Sequence, residues 1–316
     1  MVVMPMDVRF LQCDSKCETI SLSASNRGQA SINVVSGPKT SWTTLIDENG
    51  TPFLFLTPTK SGEMIAVRKT QIVKIDLASA RYRILFTHKS VVFHPSISGD
   101  TVLFSDSPLV SQRSVNTYQN RRLYHYSISS RKLTHLLPRW NAYNIDTPYV
   151  LNDGRYCFSM SLPTMDGTSI TARASDFKKL EAFCFPKEGI SRADTNENDI
   201  RNAALPGISS EFYGLTIDPS GRFVTGYTIK FNSSVWMIYD LDNKRTLKSI
   251  TANNNRITLS LDGTRYVYAE GRIGGEFFGT VNAMPSGSRL RSFNFNLNFI
   301  SKTTLFLQSA KSNAFN

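Results

Sequence analysis

The feature that most constrains this chain is a recurring pair of short apolar strands joined by a glycine-bearing turn. Its clearest copy spans residues 215–250, LTIDPSGRFVTGYTIKFNSSVWMIYDLDNKRTLKSI. This stretch reads as a strand, an Asp218-Pro219-Ser220-Gly221 reversal, a second strand, a loop, and two more strands joined at Asp242-Asn243. Period-two alternation puts the apolar residues on one face of each strand. The turn residues supply the local hydrogen bonds and dihedrals that a tight reversal needs. Four strands so joined predict an antiparallel meander.

Relatives of the inner pair occur at 56–67 (LTPTKSGEMIAV), 93–104 (FHPSISGDTVLF), 150–158 (VLNDGRYCF) and 259–268 (LSLDGTRYVY), with a glycine-free sixth at 299–307 (FISKTTLFL). Gly62, Gly99, Gly154, Gly221 and Gly263 are assigned the positive φ of their reversals. Outer hairpins are expected at 18–35, 71–86, 122–137 and 235–250. Four strands per repeat of about 40 residues is the pattern of a propeller blade. The expected fold is all-β: a six-bladed β-propeller of four-stranded antiparallel blades. Its ring closes through a composite blade, with outer strands from 18–35 and an inner pair from the C-terminal copy, so that no sheet edge stays open. Residues 1–17 are then an N-terminal extension and 18–316 a single domain carrying an insertion over 186–211. A short helix capped by Ser191 is expected within 191–204.

The element IDPSGRFVTGY, followed by VWMIYDLDNKRTLKSIT, resembles the repeat of TolB-type propellers, within the wider group of WD-repeat-like folds. LSLDGTRYVYAEG and FHPSISGDTVLFSD resemble it more loosely, and the likeness runs from about residue 18 to 310. It covers the propeller alone, without the α/β domain that precedes it in TolB. The resemblance implies a periplasmic or otherwise exported protein, the alternative being a cytoplasmic scaffold. Its motifs are turn and packing motifs, so they speak to fold and not to chemistry.

Composition supports many short strands. Only 41% of the 316 residues are hydrophobic and 19% charged, with Ser, Thr and Asn supplying much of the polarity. The net charge of +11 favours anionic partners. The basic residues, however, are scattered singles and pairs, which argues against nucleic acid. No apolar run is long enough to span a bilayer as a helix. Four cysteines are too few for a disulfide framework. Cys13 and Cys17 are placed to close a small loop in an oxidising compartment. Cys157 and Cys184 fall on strands two apart in one blade, bonded or as small apolar residues.

In a meander of this kind, connections from strand two to three and from strand four to the next blade leave from one end. The long connections, 36–52, 106–121, 138–147, 161–168, 186–211 and 270–276, are all assigned there, making that end the binding face. The binding candidates on it are Trp42, His88, Arg113, Tyr118, Arg121, Arg139, Trp140, Tyr143, Phe231, Arg256 and Arg272, residue types favoured at binding hot spots. The competing reading has the aromatics capping the blade cores. Residues 186–211 read as a partner arm over the channel or as a plain surface loop. No residue is assigned a catalytic role, and no metal-ligand spacing or nucleophile elbow occurs; Asp146, Asn253, Asn254 and Asn255 are weak candidates at a channel mouth. The function expected is that of a monomeric, cofactor-free, non-enzymatic binding module for a protein or surface glycan. The alternative is a propeller hydrolase or lyase acting on a sugar or ester.

Overall fold

A computed structural model describes residues 7–25, 32–37, 41–107, 121–138, 145–161, 180–190, 196–205, 208, 213–230, 233–251, 255–272, 274–296 and 303–310. The chain opens with β1 (Asp7–Cys13), β2 (Ile20–Ser25), β3 (Ile32–Ser36) and β4 (Trp42–Asp47), then β5 (Leu54–Pro58), β6 (Met64–Arg68), β7 (Gln71–Asp76) and β8 (Arg81–Thr87). Next come β9 (Val91–Ser98), β10 (Thr101–Ser107), β11 (Arg122–Ser127) and β12 (Leu133–Leu136). β13 (Ile145–Val150), β14 (Tyr156–Ser161) and β15 (Leu180–Phe185) precede two short helices, α1 (Lys187–Ile190) and α2 (Glu197–Asn202). β16 (Tyr213–Ile217), β17 (Phe223–Lys230), β18 (Ser233–Asp240) and β19 (Arg245–Thr251) follow. The last elements are β20 (Asn255–Leu259), β21 (Arg265–Gly271), β22 (Glu276–Ala283), β23 (Arg289–Asn296) and β24 (Thr304–Ser309).

The tight turns follow from their residues. In the 218–222 reversal the Asp218 carboxylate accepts the backbone N–H groups of Ser220 (3.0 Å) and Phe223 (2.5 Å). Gly221 takes φ 78°. A Cβ on Gly221 would stand 2.6 Å from Arg155 Nη2 and 2.9 Å from Leu151 Cδ1, side-chain ends that can shift aside, so it is the positive φ that calls for glycine there. Gly62, Gly99, Gly154 and Gly263 likewise have positive φ, from 55° to 86°.

The described strands pair as one nine-stranded, three four-stranded and one three-stranded sheet, within two compact units. The first unit joins residues 1–87 to 252–316, and the second is the contiguous stretch 88–251. In the first unit β1–β4 and β5–β8 are antiparallel meanders that β24 merges into one nine-stranded sheet, so six separate sheets are not found. β24 runs parallel to β4 at 304–307 and parallel to β8 at 308–309.

This corrects the expected composite blade. β1 already provides the innermost strand before the 18–35 hairpin, and the C-terminal segment adds a single outer strand instead of two inner ones. The two ends of the chain meet by packing. Apolar residues of β1–β4, among them Val8, Leu11, Ile20 and Trp42, share a core with Val267, Phe277, Phe293 and Phe295 of the β20–β23 sheet. Three arginines reach across to backbone oxygens: Arg256 to Val8 (3.0 Å), Arg265 to Lys16, and Arg291 to Cys17.

Cys13 and Cys17 lie in that core as free, fully buried thiols, so the expected bond between them is not formed. Burial, together with contact with Cys17, pushes the Cys13 thiol well above its usual range. The disulfide joins Cys157 to Cys184, which sit directly opposite each other on neighbouring strands β14 and β15 and not on strands two apart.

In the second unit, β9–β12 and β16–β19 are complete four-stranded meanders, while β13–β15 has three strands. A fourth is present in rudiment: Phe183 bridges Ala204 antiparallel, Cys184 N–H donates to Ala203 O (2.8 Å) and Leu205 N–H to Ala182 O (2.8 Å). The connection 186–202, which carries α1 and α2, therefore leads from the third strand to the fourth. It leaves β15 beside Tyr156, at the end occupied by the 151–155 turn, and not at the end assigned to it from sequence. The cap of α2 is Asn196, whose Oδ1 accepts the N–H groups of Asn198 (2.8 Å) and Asp199 (3.1 Å). Asp199 accepts the Asn196 N–H in return (2.9 Å), completing a reciprocal capping box. Ser191, the expected cap, lies outside the described residues.

Candidate functional site

In several of the described meanders, the end from which strand two leads to strand three carries ionisable groups that the strand pattern brings together. In the second unit, β10 ends and β11 begins at the cross-strand pair Asp106 and Arg122. Asp106 is fully buried and accepts from Arg122 Nε (2.9 Å) and Nη2 (2.6 Å) and pairs with His88 Nε2 (2.7 Å). Burial alone would push the Asp106 carboxyl up; the bonds from His88 and Arg122 outweigh it and hold the group below its usual range. His88 lies edge-on to Phe104 and Tyr124, Tyr124 stacks on His135 at 4.9 Å, and the Arg121 guanidinium covers the Phe93 ring at 4.2 Å. His88 thus ties the connection before β9 to the corner between β10 and β11.

The first unit repeats the device with other residues. Asp47, fully buried at the end of β4, accepts from Arg68 Nε (2.6 Å) at the end of β6, and Arg68 Nη1 donates to Gln71 Oε1 (2.9 Å) at the start of β7. Burial raises the Asp47 carboxyl, but the Thr51 and Asn49 N–H groups and Arg68 bring it below its usual range. On β20 and β21, Asn255 Nδ2 donates to Tyr268 Oη (2.8 Å), which donates to Glu270 (2.7 Å). Arg272 Nε donates to the other Glu270 oxygen (2.5 Å) and its guanidinium stacks on Phe278 at 4.8 Å. Burial and the Glu270 carboxylate push the Tyr268 phenol far above its ordinary value.

The binding candidates are not brought together by these contacts. Trp42 stands in β4, not on a loop; it is 6% exposed, lies 5.5 and 5.4 Å from Phe293 and Phe295, and donates its ring N–H to Asn294 O. His88 and Arg121 are buried, and Arg256 is half-buried against β1. Of the described candidates Arg272 alone is exposed. Arg113, Tyr118, Arg139, Trp140, Tyr143 and Phe231, with Asn253 and Asn254, lie outside the described residues. Sequence reading passed over Asp47, Arg68, Asp106 and Arg122. The available signal was an acid closing a strand with an arginine at the edge of the following connection.

Three connections at this end are long, 108–121, 137–144 and 162–179, and all three belong to the second unit. The turns at the opposite end are short, except for the 186–202 connection that carries α1 and α2. Among the described residues no group of three or more His, Cys, Asp or Glu is arranged to hold a metal ion, and no helix is long and apolar enough to cross a membrane.

No protein-family model and no curated protein matches the chain in sequence. Solved structures match it in fold. TolB from Acinetobacter baumannii superposes with a TM-score of 0.54 at 14% identity, over 92% of this chain and 63% of that one. A prolyl endopeptidase, one of two analysed for the role of inter-domain dynamics in catalysis and specificity, superposes with a TM-score of 0.53 at 9% identity, over 92% of this chain and 43% of that one. The chain therefore spans less than two thirds of either relative. The likeness defines the class as a propeller-like all-β fold resembling that of TolB, and at these identities it speaks to fold alone.

Proposed function

We propose that the chain is a non-enzymatic binding module, one propeller domain of six blades when the β1–β4 and β5–β8 meanders are counted separately. It offers the end bearing the connections 108–121, 137–144 and 162–179 to a protein or surface-glycan partner. The observation that carries this reading is how the described acids and bases at the corresponding strand ends of the meanders are used. Asp47 ties β4 to β6, Asp106 and His88 tie the connection before β9 to the corner between β10 and β11, and Glu270 is held by Tyr268 and Arg272 beside it, a structural use of groups that a hydrolase would turn toward substrate. The net charge of +11 favours an acidic partner, and the Cys157–Cys184 bond accords with export to an oxidising compartment.

The contacts are assigned to Arg113, Tyr118, Arg139, Trp140, Tyr143 and Phe231. The test is capture by the immobilised chain of purified envelope glycans and of partners identified by cross-linking. Capture should fall at least tenfold on joint Trp140→Ala and Tyr143→Ala substitution, a hot-spot-sized loss. Unchanged capture removes the assignment, and turnover of a panel of chromogenic esters and glycosides by the purified chain replaces it with the hydrolase reading.

A further inference from the structure

β24 is surplus to the pattern that builds the rest of the first unit. The three meanders there, β1–β4, β5–β8 and β20–β23, each count four antiparallel strands without it. β24 is a fifth strand, laid along the outer edges of two of them. Its ladders are the only parallel ones among the described strands, and they are divided between two hosts, 304–307 along β4 and 308–309 along β8. Backbone bonds join it to both: Thr44 N–H donates to Thr303 O (3.2 Å), Gln308 N–H to Ala80 O (3.1 Å) and Ala310 N–H to Tyr82 O (2.8 Å). Within 303–310 only Leu307 is fully buried, in a core with Val35, Leu45, Phe53, Leu56 and Tyr82, and Leu305 packs half-buried on the same core. Thr303, Thr304, Phe306, Gln308 and Ser309 are exposed, Phe306 by 59%. A bound strand is held in this way, with backbone bonds to a sheet edge giving affinity and a pocket for alternate side chains setting the register.

We propose that the outer edges of β4 and β8 form a strand-binding slot, and that its alternative occupant is β24 of a second copy of this chain. The slot asks for an extended segment running parallel to β4, with an apolar side chain at the position of Leu307 and another at that of Leu305. Positions 304, 306 and 308 face solvent and leave the sequence open. The segment that meets these terms is TLFLQS itself, so a second copy brings the matching register and the matching leucines. Exchange is reciprocal: each chain gives its β24 and receives the other's. Every ladder bond and the Leu307 contact are remade between chains, and the two-fold pair closes with no edge of β4 or β8 left open. Phe306, left in solvent by docking within one chain, then lies on the strand that crosses between the copies. A strand docked in its own chain competes at an effective concentration on the order of a millimolar, so the pair forms where the protein is locally concentrated. The exchange uses none of the residues assigned to the partner contacts above.

A cysteine trap on the full chain tests this. Thr304 of β24 stands opposite Thr44 of β4, so one chain carries Thr44→Cys and the other Thr304→Cys. Mixed under mild oxidation, they should give a cross-linked pair of twice the chain's mass, in a yield that rises with protein concentration. A chain carrying both substitutions should cross-link to itself when dilute, which shows that the two positions are within reach. Leu307→Asp on both partners should cut the yield of the mixed pair at least tenfold, because it buries an unpaired carboxylate in the slot. An excess of synthetic peptide 303–310 should cut it likewise by filling the slots, and this arm stands alone should the aspartate variant not fold. No mixed pair at any concentration, with the double-cysteine chain closing on itself, overturns the proposal, because β24 then stays with its own chain. A double-cysteine chain that remains open overturns it too, since β24 is then not docked on β4. So does a mixed pair that neither Leu307→Asp nor the peptide reduces, because the copies then meet elsewhere.

Discussion

The two units solve the same problem by different means. The first joins segments far apart in the chain, residues 1–87 with 252–316, and its junction is made of aromatic packing and of arginines reaching backbone oxygens. The second is one contiguous stretch that carries, beside the kind of carboxylate tie found in both units, a disulfide between neighbouring strands. Closing a long loop costs entropy before any contact repays it, so the first unit needs a large buried surface at the place where its segments meet. The second pays less for closure and concentrates its fastenings at single points, leaving room for the long connections between them.

The largest expected effect tests the first half of that contrast. Trp42→Ala should cost about 3–5 kcal/mol, since it empties a buried aromatic position against Phe293 and Phe295 and removes the ring N–H bond to Asn294 O. Urea unfolding followed by fluorescence measures it. A loss below about 1 kcal/mol would mean that the junction is held by its arginines instead. Next in size is the double serine replacement of Cys157 and Cys184, whose sequence separation is 27. The chain-entropy model puts that loss at about 3.5 kcal/mol. A similar loss from Cys13→Ser/Cys17→Ser would place both pairs on one footing and erase the distinction between the units.

Asp47 and Asp106 give the comparison a pH axis. Both carboxyls are held below their usual range, Asp47 by backbone N–H groups and Arg68, Asp106 by His88 and Arg122, each against the opposing effect of burial. A depressed folded-state value means that the unfolded chain binds the proton first. The stabilisation is therefore complete above the ordinary carboxylate value of about 4 and is lost as pH falls through the folded-state values below it. Asp106→Asn and Asp47→Asn should each flatten the fall in stability between about pH 5 and pH 2, measured by chemical unfolding across that window. If only one of them does, the two ties are not equivalent.

The regular part of this fold was legible because its signals are local. A glycine with positive φ and a period-two strand declare themselves within ten residues, as Gly62 and Gly221 do beside β6 and β17. What escaped was decided by distant partners. Nothing in TLFLQS says that β24 will run parallel to both β4 and β8. Nothing around Trp42 announces a strand packed on residues more than 250 positions away. The placement of 186–202 turned on a three-residue bridge at 203–205, too short to carry a strand pattern. The acids at the corners were visible as residues, but their use as ties depends on pairs such as Asp47 with Arg68, which different meanders supply.

The smallest effect bears on the weakest fastening in the second unit. Asn196→Ala removes the acceptor for two N–H groups at the start of α2, a loss of about 1 kcal/mol for an exposed cap. Because the Cys157–Cys184 bond lies outside that helix, the loss should appear as faster hydrogen exchange in 196–205 with little change in global unfolding while the bond is intact. If the cap and the disulfide support the same edge, the same substitution should cost less after reduction than before. A full and equal penalty in both redox states would show that α2 is folded independently of the disulfide. The cap on α2 and the disulfide would then be separate fastenings of this unit.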